Sequence, residues 1–271
     1  MRGTSAASLA SVAAGYEPVV RAAGPDATTL GGQLLSVVDA LDGSGSLRRA
    51  LSDPSRSAEA KASLAATLLR GKVDDRVVDV VAALARARWT QEHDFTDAVE
   101  ELAADSVLAA AQSAGVLEQV EDELFRFDRL LIGQRDLRRA LTERSVPGAA
   151  RGTLVRNLIE GKVRPETLQL VERAAVTPRG RTMSAALGLL SRLSARRRAL
   201  MVAAVTSASP LSLAQMDRLR QLLERAYGGS IQLNLTVDPQ VIGGLRVQVG
   251  AEVVDSTVLG RLDDARRQLA R

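Results

Sequence analysis

Apolar residues recur at helical spacing along most of this chain and at strand spacing only toward its end. Leu30, Leu34, Val37, Val38 and Leu41 stand three or four apart, so they share one face of a helix. Asp42-Gly-Ser-Gly45 stops it. A short helix over 47–51 and a turn at Asp53-Pro54 follow. Ser57 reads as an N-cap, with Glu59 in the first turn where the helix dipole favours a carboxylate. The spacing puts Ala60, Leu64 and Leu68 on one face and Gly71 at a left-handed C-cap. Val77, Val80, Val81 and Leu84 predict the next helix, and Phe95, Val99 and Leu102 another. Met1 to Tyr16 has a weak apolar core interrupted by Ser8 and Ser11, which predicts a frayed first helix rather than a secretory leader.

The pattern then starts again. Leu-Arg-Arg-Ala-Leu at 47–51 returns at 137–141, and Gly-Lys-Val at 71–73 returns at 161–163. The offset is 90 throughout, with 12 identities between 47–73 and 137–163 and no gap. A period of this length is a repeated domain rather than a short solenoid unit. The second copy carries Val116, Val120, Leu124, Phe127 and Leu131 on one face. Leu154 and Leu158 precede Gly161; Leu168, Val171 and Ala175 follow, then Met183, Leu187 and Leu190 before Arg196-Arg-Arg198. Bundles of this kind present grooves between helices, and a groove is a dock for an amphipathic helix.

From residue 199 the period changes. Residues 201–208 read as a strand. Pro210 leads into a helix marked by a Ser212/Gln215 capping box and a Leu211/Met216 hydrophobic staple. Met216, Leu219, Leu222, Leu223 and Ala226 are placed on its buried face. Ile231, Leu233, Leu235 and Val237 alternate with polar residues as a half-buried strand. Asp238-Pro239 ends it, Gly243-Gly244 makes a tight turn, and 245–249 alternates again. A reversal at Gly250-Ala251 precedes Val253-Val254, and 257–271 reads as a helix. The fold class is mainly α: two tandem helical bundles, 1–110 and 111–198, followed by a small α+β domain of order β-α-β-β-α over 199–271.

Composition adds direction. The net charge of +4 divides unevenly, −4 over 1–110, +7 over 111–198 and +1 over 199–271. A basic middle third admits either a nucleic-acid-binding adaptor or an Arg-rich helix surface facing an acidic protein. Aromatics are only 2%, which leaves little for base stacking. The longest apolar stretches are too short for a membrane span. With no cysteine and one histidine, His93, a zinc site or a Ser-His relay lacks material. Glu121-Asp122-Glu123 spreads around a helix as a solvated face. Gly-Lys-Val lacks the remainder of a phosphate loop. Trp89 serves either as an exposed anchor for a partner or as a filler between helices. Catalytic, cofactor and metal residues are therefore expected to be absent.

Asp238, Pro239, Gly243, Gly244 and Gly250, with Asp255 and then Gly260, Arg261 and Leu262, closely resemble the signature of the delta subunit (oligomycin-sensitivity-conferring protein) family of bacterial F-type ATP synthases. The helical repeats resemble that family's amino-terminal bundle. Ala251 and Ser256 depart from the pattern, standing where the family commonly has an acidic or amide residue and a glycine. The duplication departs further and is similar to long actinobacterial forms. The resemblance implies a non-catalytic stator component without a cofactor, in a hetero-oligomeric complex on the cytoplasmic face of the cell membrane. It further implies that the bundle holds amino-terminal helices of alpha subunits, that the last module engages the b subunit, and that neither nucleic acid nor direct membrane insertion is involved.

Overall fold

A computed structural model describes residues 1, 3–143, 145–199, 202–227, 231–239, 241, 243–249 and 252–255. The chain divides into two compact units, 1–194 and 195–271. The first opens with α1 (Thr4–Ala23), α2 (Ala27–Gly43), α3 (Gly45–Ser52), α4 (Ala58–Leu69), α5 (Asp75–Arg86) and α6 (Glu92–Ser113). It continues with α7 (Leu117–Gly133), α8 (Arg135–Thr142), α9 (Gly148–Ile159) and α10 (Pro165–Val176), and α11 (Met183–Ala199) runs across the boundary between the units.

The repeat survives into three dimensions with its register intact. Shifted by 90, the bounds of α2, α3, α4 and α5 fall on those of α7, α8, α9 and α10. Tertiary hydrogen bonds repeat as well. The Asp74 N–H donates to Gln33 Oε1 at 2.8 Å, and 90 residues later the Arg164 N–H donates to Glu123 Oε2 at 2.9 Å. Lys61 Nζ reaches the Ala87 carbonyl at 3.2 Å, and Arg151 Nη2 the Val176 carbonyl at 3.4 Å. In both cases a buried cation covers carbonyls that the end of a helix leaves without intrahelical partners. Gly71 and Gly161 end matching helices at φ 75° and 73°, a conformation open to glycine without steric cost. The same shift carries α1 onto 94–113, the body of α6. Helix α6 thus ends one copy and begins the next, and residue 110, the expected edge of the first copy, lies inside it.

The first core gathers Leu30, Leu34, Val38 and Leu41 of α2, Val77, Val81 and Leu84 of α5, and Phe95, Val99 and Leu102 of α6. Two readings need correction, and one alternative is decided. The first helix is not frayed: it runs to Ala23 and buries Leu9, Tyr16 and Val20. Helix α4 buries Lys61, Ala62 and Ala65, whereas Ala60 and Leu68 are exposed and Leu64 is half-buried. The bond from Lys61 to Ala87 draws the cationic side of α4 inward. Trp89 is a filler, buried edge-on to Phe95 at 6.1 Å with its indole N–H on the Leu84 carbonyl at 2.9 Å. Ser57 does cap α4, its hydroxyl accepting from the Ala60 N–H at 3.2 Å.

The second unit is a four-stranded sheet with one helix described. Strand β1 (Val202–Ser207) lies between β2 (Gln232–Val237), parallel to it, and β3 (Leu245–Val249), antiparallel; β4 (Glu252–Asp255) pairs with β3. The 252–255 segment is thus a fourth strand beyond the expected order. Ala203, Val205, Val247 and Val249 face Leu219, Leu223 and Tyr227 of α12 (Leu213–Tyr227). The capping box forms, with Ser212 N–H to Gln215 Oε1 at 2.8 Å and Gln215 N–H to Ser212 Oγ at 3.3 Å. Leu222 and Ala226, expected on the buried face, are exposed. The half-buried side of α12 packed on the sheet carries the expected Leu219 and Leu223, with Tyr227 a further turn on. The expected helix over 257–271 lies outside the described residues.

Candidate functional site: a cleft, a charged joint and a turn

An open cavity of ≈ 410 Å³ runs between α1 and α5. Helix α1 supplies Ser11, Val12, Gly15, Tyr16 and Val19, and α5 supplies Arg76, Asp79, Val80 and Ala83. Both sets follow the three-and-four spacing of a single helix face. Val80 and Tyr16 make a buried floor, while Val12, Val19 and Ala83 are half-buried. A Cβ on Gly15 would meet nothing within 4 Å, so this wall has room for a side chain. Burial pushes the Tyr16 phenol up, and its oxygen sits 3.4 Å from Ser106 Oγ. On the rim, Asp74 grips Arg76 through two bonds of 2.8 Å and also accepts the Arg76 N–H at 2.9 Å. Those side-chain bonds hold the Asp74 carboxyl down at about 2 and raise the Arg76 guanidinium.

A second feature lies at the joint between the copies. Arg179 points its side chain, only 9% exposed, at Asp42 (2.9 Å), Asp97 (2.8 Å) and Glu100 (2.9 Å). Arg181 adds Asp97 at 3.2 Å and Glu100 at 2.7 Å, and Arg173 takes Asp39 at 2.7 Å. Burial opposes the Arg179 charge, but the Glu100, Asp97 and Asp42 charges outweigh it and raise the guanidinium above its ordinary value. The residue holds φ 48° to do this, a left-handed conformation uncommon outside glycine. Part of the contrast between an acidic first copy and a basic second one is thus spent in joining them. His93 lies exposed beside Asp94 and Asp97, with ligand atoms of all three within 4.8 Å. Both carboxylates are already engaged, Asp94 by the Ser5 hydroxyl at 2.7 Å and Asp97 by the two arginines.

The second copy turns apolar side chains outward. On α7, Phe125 is 58% and Ile132 63% exposed, and the Arg129 guanidinium lies 6.0 Å from the centre of the Phe125 ring.

In the second unit the Asp238 N–H donates to the Ser207 carbonyl at 2.9 Å, and the Asp238 carbonyl accepts from the Val241 N–H at 3.1 Å. Pro239 follows in that turn. Gly243 and Gly244 hold φ 63° and 85°, angles a β-branched side chain resists. Asp255 pairs in register with Arg246 across β4 and β3. Gly250, Gly260, Arg261 and Leu262 lie outside the described residues. The structure brings Asp238 to the β1–β2 end of the sheet. The α1–α5 cleft and the arginine joint had no forecast from sequence. The i, i+4 recurrence of Val12 with Tyr16 and Arg76 with Val80 was the available signal for the cleft.

Helix pairs with an open cleft, joined to a small sheet domain, define a scaffold that holds other chains. The sequence comparisons give that class a family. The model of the ATP synthase delta (OSCP) subunit family matches residues 99–269. A protein of Beutenbergia cavernae called ATP synthase subunit delta is 54% identical over 100% of both chains. Proteins of the same name from Streptomyces griseus and Thermobifida fusca are 49% identical over 90% and 43% identical over 100% of both chains. The chain belongs to the ATP synthase delta (OSCP) subunit family.

Proposed function

We infer that this chain works in the peripheral stalk of an F-type ATP synthase, linking the catalytic alpha/beta head to the b subunits so that the head does not turn with the rotor. Family membership supports the stalk role. The observation that carries the mechanism is the open α1–α5 cleft, apolar at its floor and charged at its rim. We assign it to an amino-terminal helix of an alpha subunit, laid in along its apolar face. The second unit, with its Asp238 and Gly243-Gly244 turns, is assigned to the b subunit. Two contacts on one chain raise the effective concentration of each for its partner, and a stator must stay bound under torque.

In this reading the protein is non-catalytic and sits on the cytoplasmic face of the membrane. No helix among the described residues is long and apolar enough to cross it. Against the nucleic-acid adaptor stand the family match and the scarcity of aromatic stacking residues, and Arg173, Arg179 and Arg181 of the basic copy pair with acids of the first.

The test is affinity isolation of the tagged full chain from native membranes in mild detergent. Alpha, beta and b subunits are expected in fixed ratio, with b lost when residues 199–271 are removed. Recovery of nucleic acid, or of neither alpha nor b, overturns the reading.

A further inference from the structure

The cleft between α1 and α5 is open, yet its image in the second copy is not. Shifted by 90, Asp79, Val80 and Ala83 become Gln169, Leu170 and Arg173 of α10. Helix α6 packs beside α10 as α1 packs beside α5. Across this second pair lies α2 of the same chain. On the α6 side the α1 wall Ser11, Val12, Gly15, Tyr16 and Val19 becomes Glu101, Leu102, Asp105, Ser106 and Ala109, and a Cβ on Gly31 of α2 would stand 3.4 Å from Ser106 Cβ. A Cβ on the adjacent Gly32 would stand 3.6 Å from Gln169 Nε2. Leu35 shares a cavity of ≈ 40 Å³ with Ala104 and Leu170. Asp39 closes the row on Arg173 at 2.7 Å. Gly32, Leu35 and Asp39 stand at i, i+3 and i+7, the spacing by which a helix presents one face to a groove.

We propose that the second copy's docking cleft is filled in cis by α2, so that the duplicated bundle offers one open cleft and takes one partner helix. The partner's identity rests on the stator reading above; the cis filling rests on the repeat. An external helix entering the second cleft must displace α2, whose other face carries Leu30, Leu34, Val38 and Leu41 of the first core. Removing α2 therefore opens that core, which no competing helix compensates. The seated helix also shows what such a cleft accepts. Small residues stand at the closest approach, a large apolar residue follows one turn on, and a charge sits at the rim. The first cleft matches this in reverse, since Gly15 leaves room on its wall and Val12, Val19 and Ala83 line it.

The experiment is calorimetric titration of the full chain with a synthetic peptide of the alpha subunit's amino-terminal helix. One peptide is expected per chain. Gly15→Arg projects a long side chain into the open cleft, where a Cβ meets nothing. It is expected to weaken binding by at least roughly tenfold, the equivalent of about 1.4 kcal/mol. Gln169→Arg, at the matching place on the filled cleft, is expected to leave affinity and ratio unchanged. Thermal melts of both variants establish that each remains folded. Two peptides per chain overturn the cis filling and leave the stator reading standing. So does binding that survives Gly15→Arg and disappears with Gln169→Arg. No binding by the parent chain overturns both the assigned partner and this inference.

Discussion

Replacing Arg179 with alanine removes the cation on which the two copies meet. Breaking a buried pair by deleting one partner costs about 3–5 kcal/mol, because the charges left behind stay out of water. Here the remaining carboxylates are only partly dry, with Asp42 31%, Asp97 25% and Glu100 13% exposed. Arg181 still reaches Asp97 and Glu100. The expected loss therefore falls below that range, at about 2–3 kcal/mol, the worth of a single charge-assisted hydrogen bond left uncompensated. The backbone adds a second arm. At φ 48° a residue with a Cβ is strained by about 1–2 kcal/mol. Arg179→Gly relieves that strain and is expected to be about 1 kcal/mol more stable than Arg179→Ala. Urea unfolding followed by fluorescence reads both, since the lone tryptophan, Trp89, is buried in the first copy. A loss under about 1 kcal/mol for the alanine variant would assign the cluster to ordinary surface ion pairs and refute the reasoning. A glycine variant less stable than the alanine one refutes the strain argument alone.

Three further outcomes concern a close packing, a carboxylate and a turn. Gly31→Ala must push α2 off α6, because its Cβ would meet backbone at 2.8 Å. A loss of about 1–3 kcal/mol is expected in the fluorescence assay, and a gain from improved helix propensity would sink the close-packing account. The Asp74 carboxyl titrates at about 2, below its usual 3.8, because of its bonds to Arg76. Its contribution is therefore complete above the unfolded value and fades as pH falls toward 2. Carbon NMR of Arg76→Ala is expected to find the midpoint moved up toward 3.8, and an unmoved midpoint contradicts the stated cause. Gly244→Val forces a β-branched residue to φ 85° and is expected to destabilise the second unit by about 1–2 kcal/mol. Hydrogen exchange of 245–249 against β1 measures it, and unchanged protection would show that the turn relaxes freely.

The repeat was legible because it is written as identity at fixed register, and the helix bounds follow it residue for residue across α2–α5 and α7–α10. Caps at Ser57 and Ser212 were legible because they depend only on near neighbours. What failed depends on partners far along the chain. The stripe Ala60, Leu64 and Leu68 looked like the buried face of α4 until the carbonyl at Ala87 drew Lys61 inward. Leu222 on α12 was read as core because periodicity cannot say which side of an apolar arc meets the sheet. Arg179 gave no sign, since Asp42 and Asp97 lie 137 and 82 positions away. The cleft escaped notice for the same reason: α1 and α5 are separated by three helices, and their half-apolar faces resemble any surface until they stand together.

Docking of one copy on the next is head-to-tail, the α2 face of the first against α10 of the second. Contacts of this kind do not close on themselves, and between separate molecules they grow into filaments. Within the first unit the α1–α5 cleft is open, and Phe125 and Ile132 of α7 face outward. On these helices the sequence differs from its own middle. Asp122 replaces the glycine that α2 has at 32, and Asp79 replaces the glutamine that α10 has at 169. Stacking two molecules in the manner of the internal joint would press these carboxylates together where the chain itself sets glycine against glutamine. The duplication thus leaves its outer faces unlike its inner joint: Asp122, held by Arg126 at 2.7 Å, and Asp79 stand where the joint has Gly32 and Gln169.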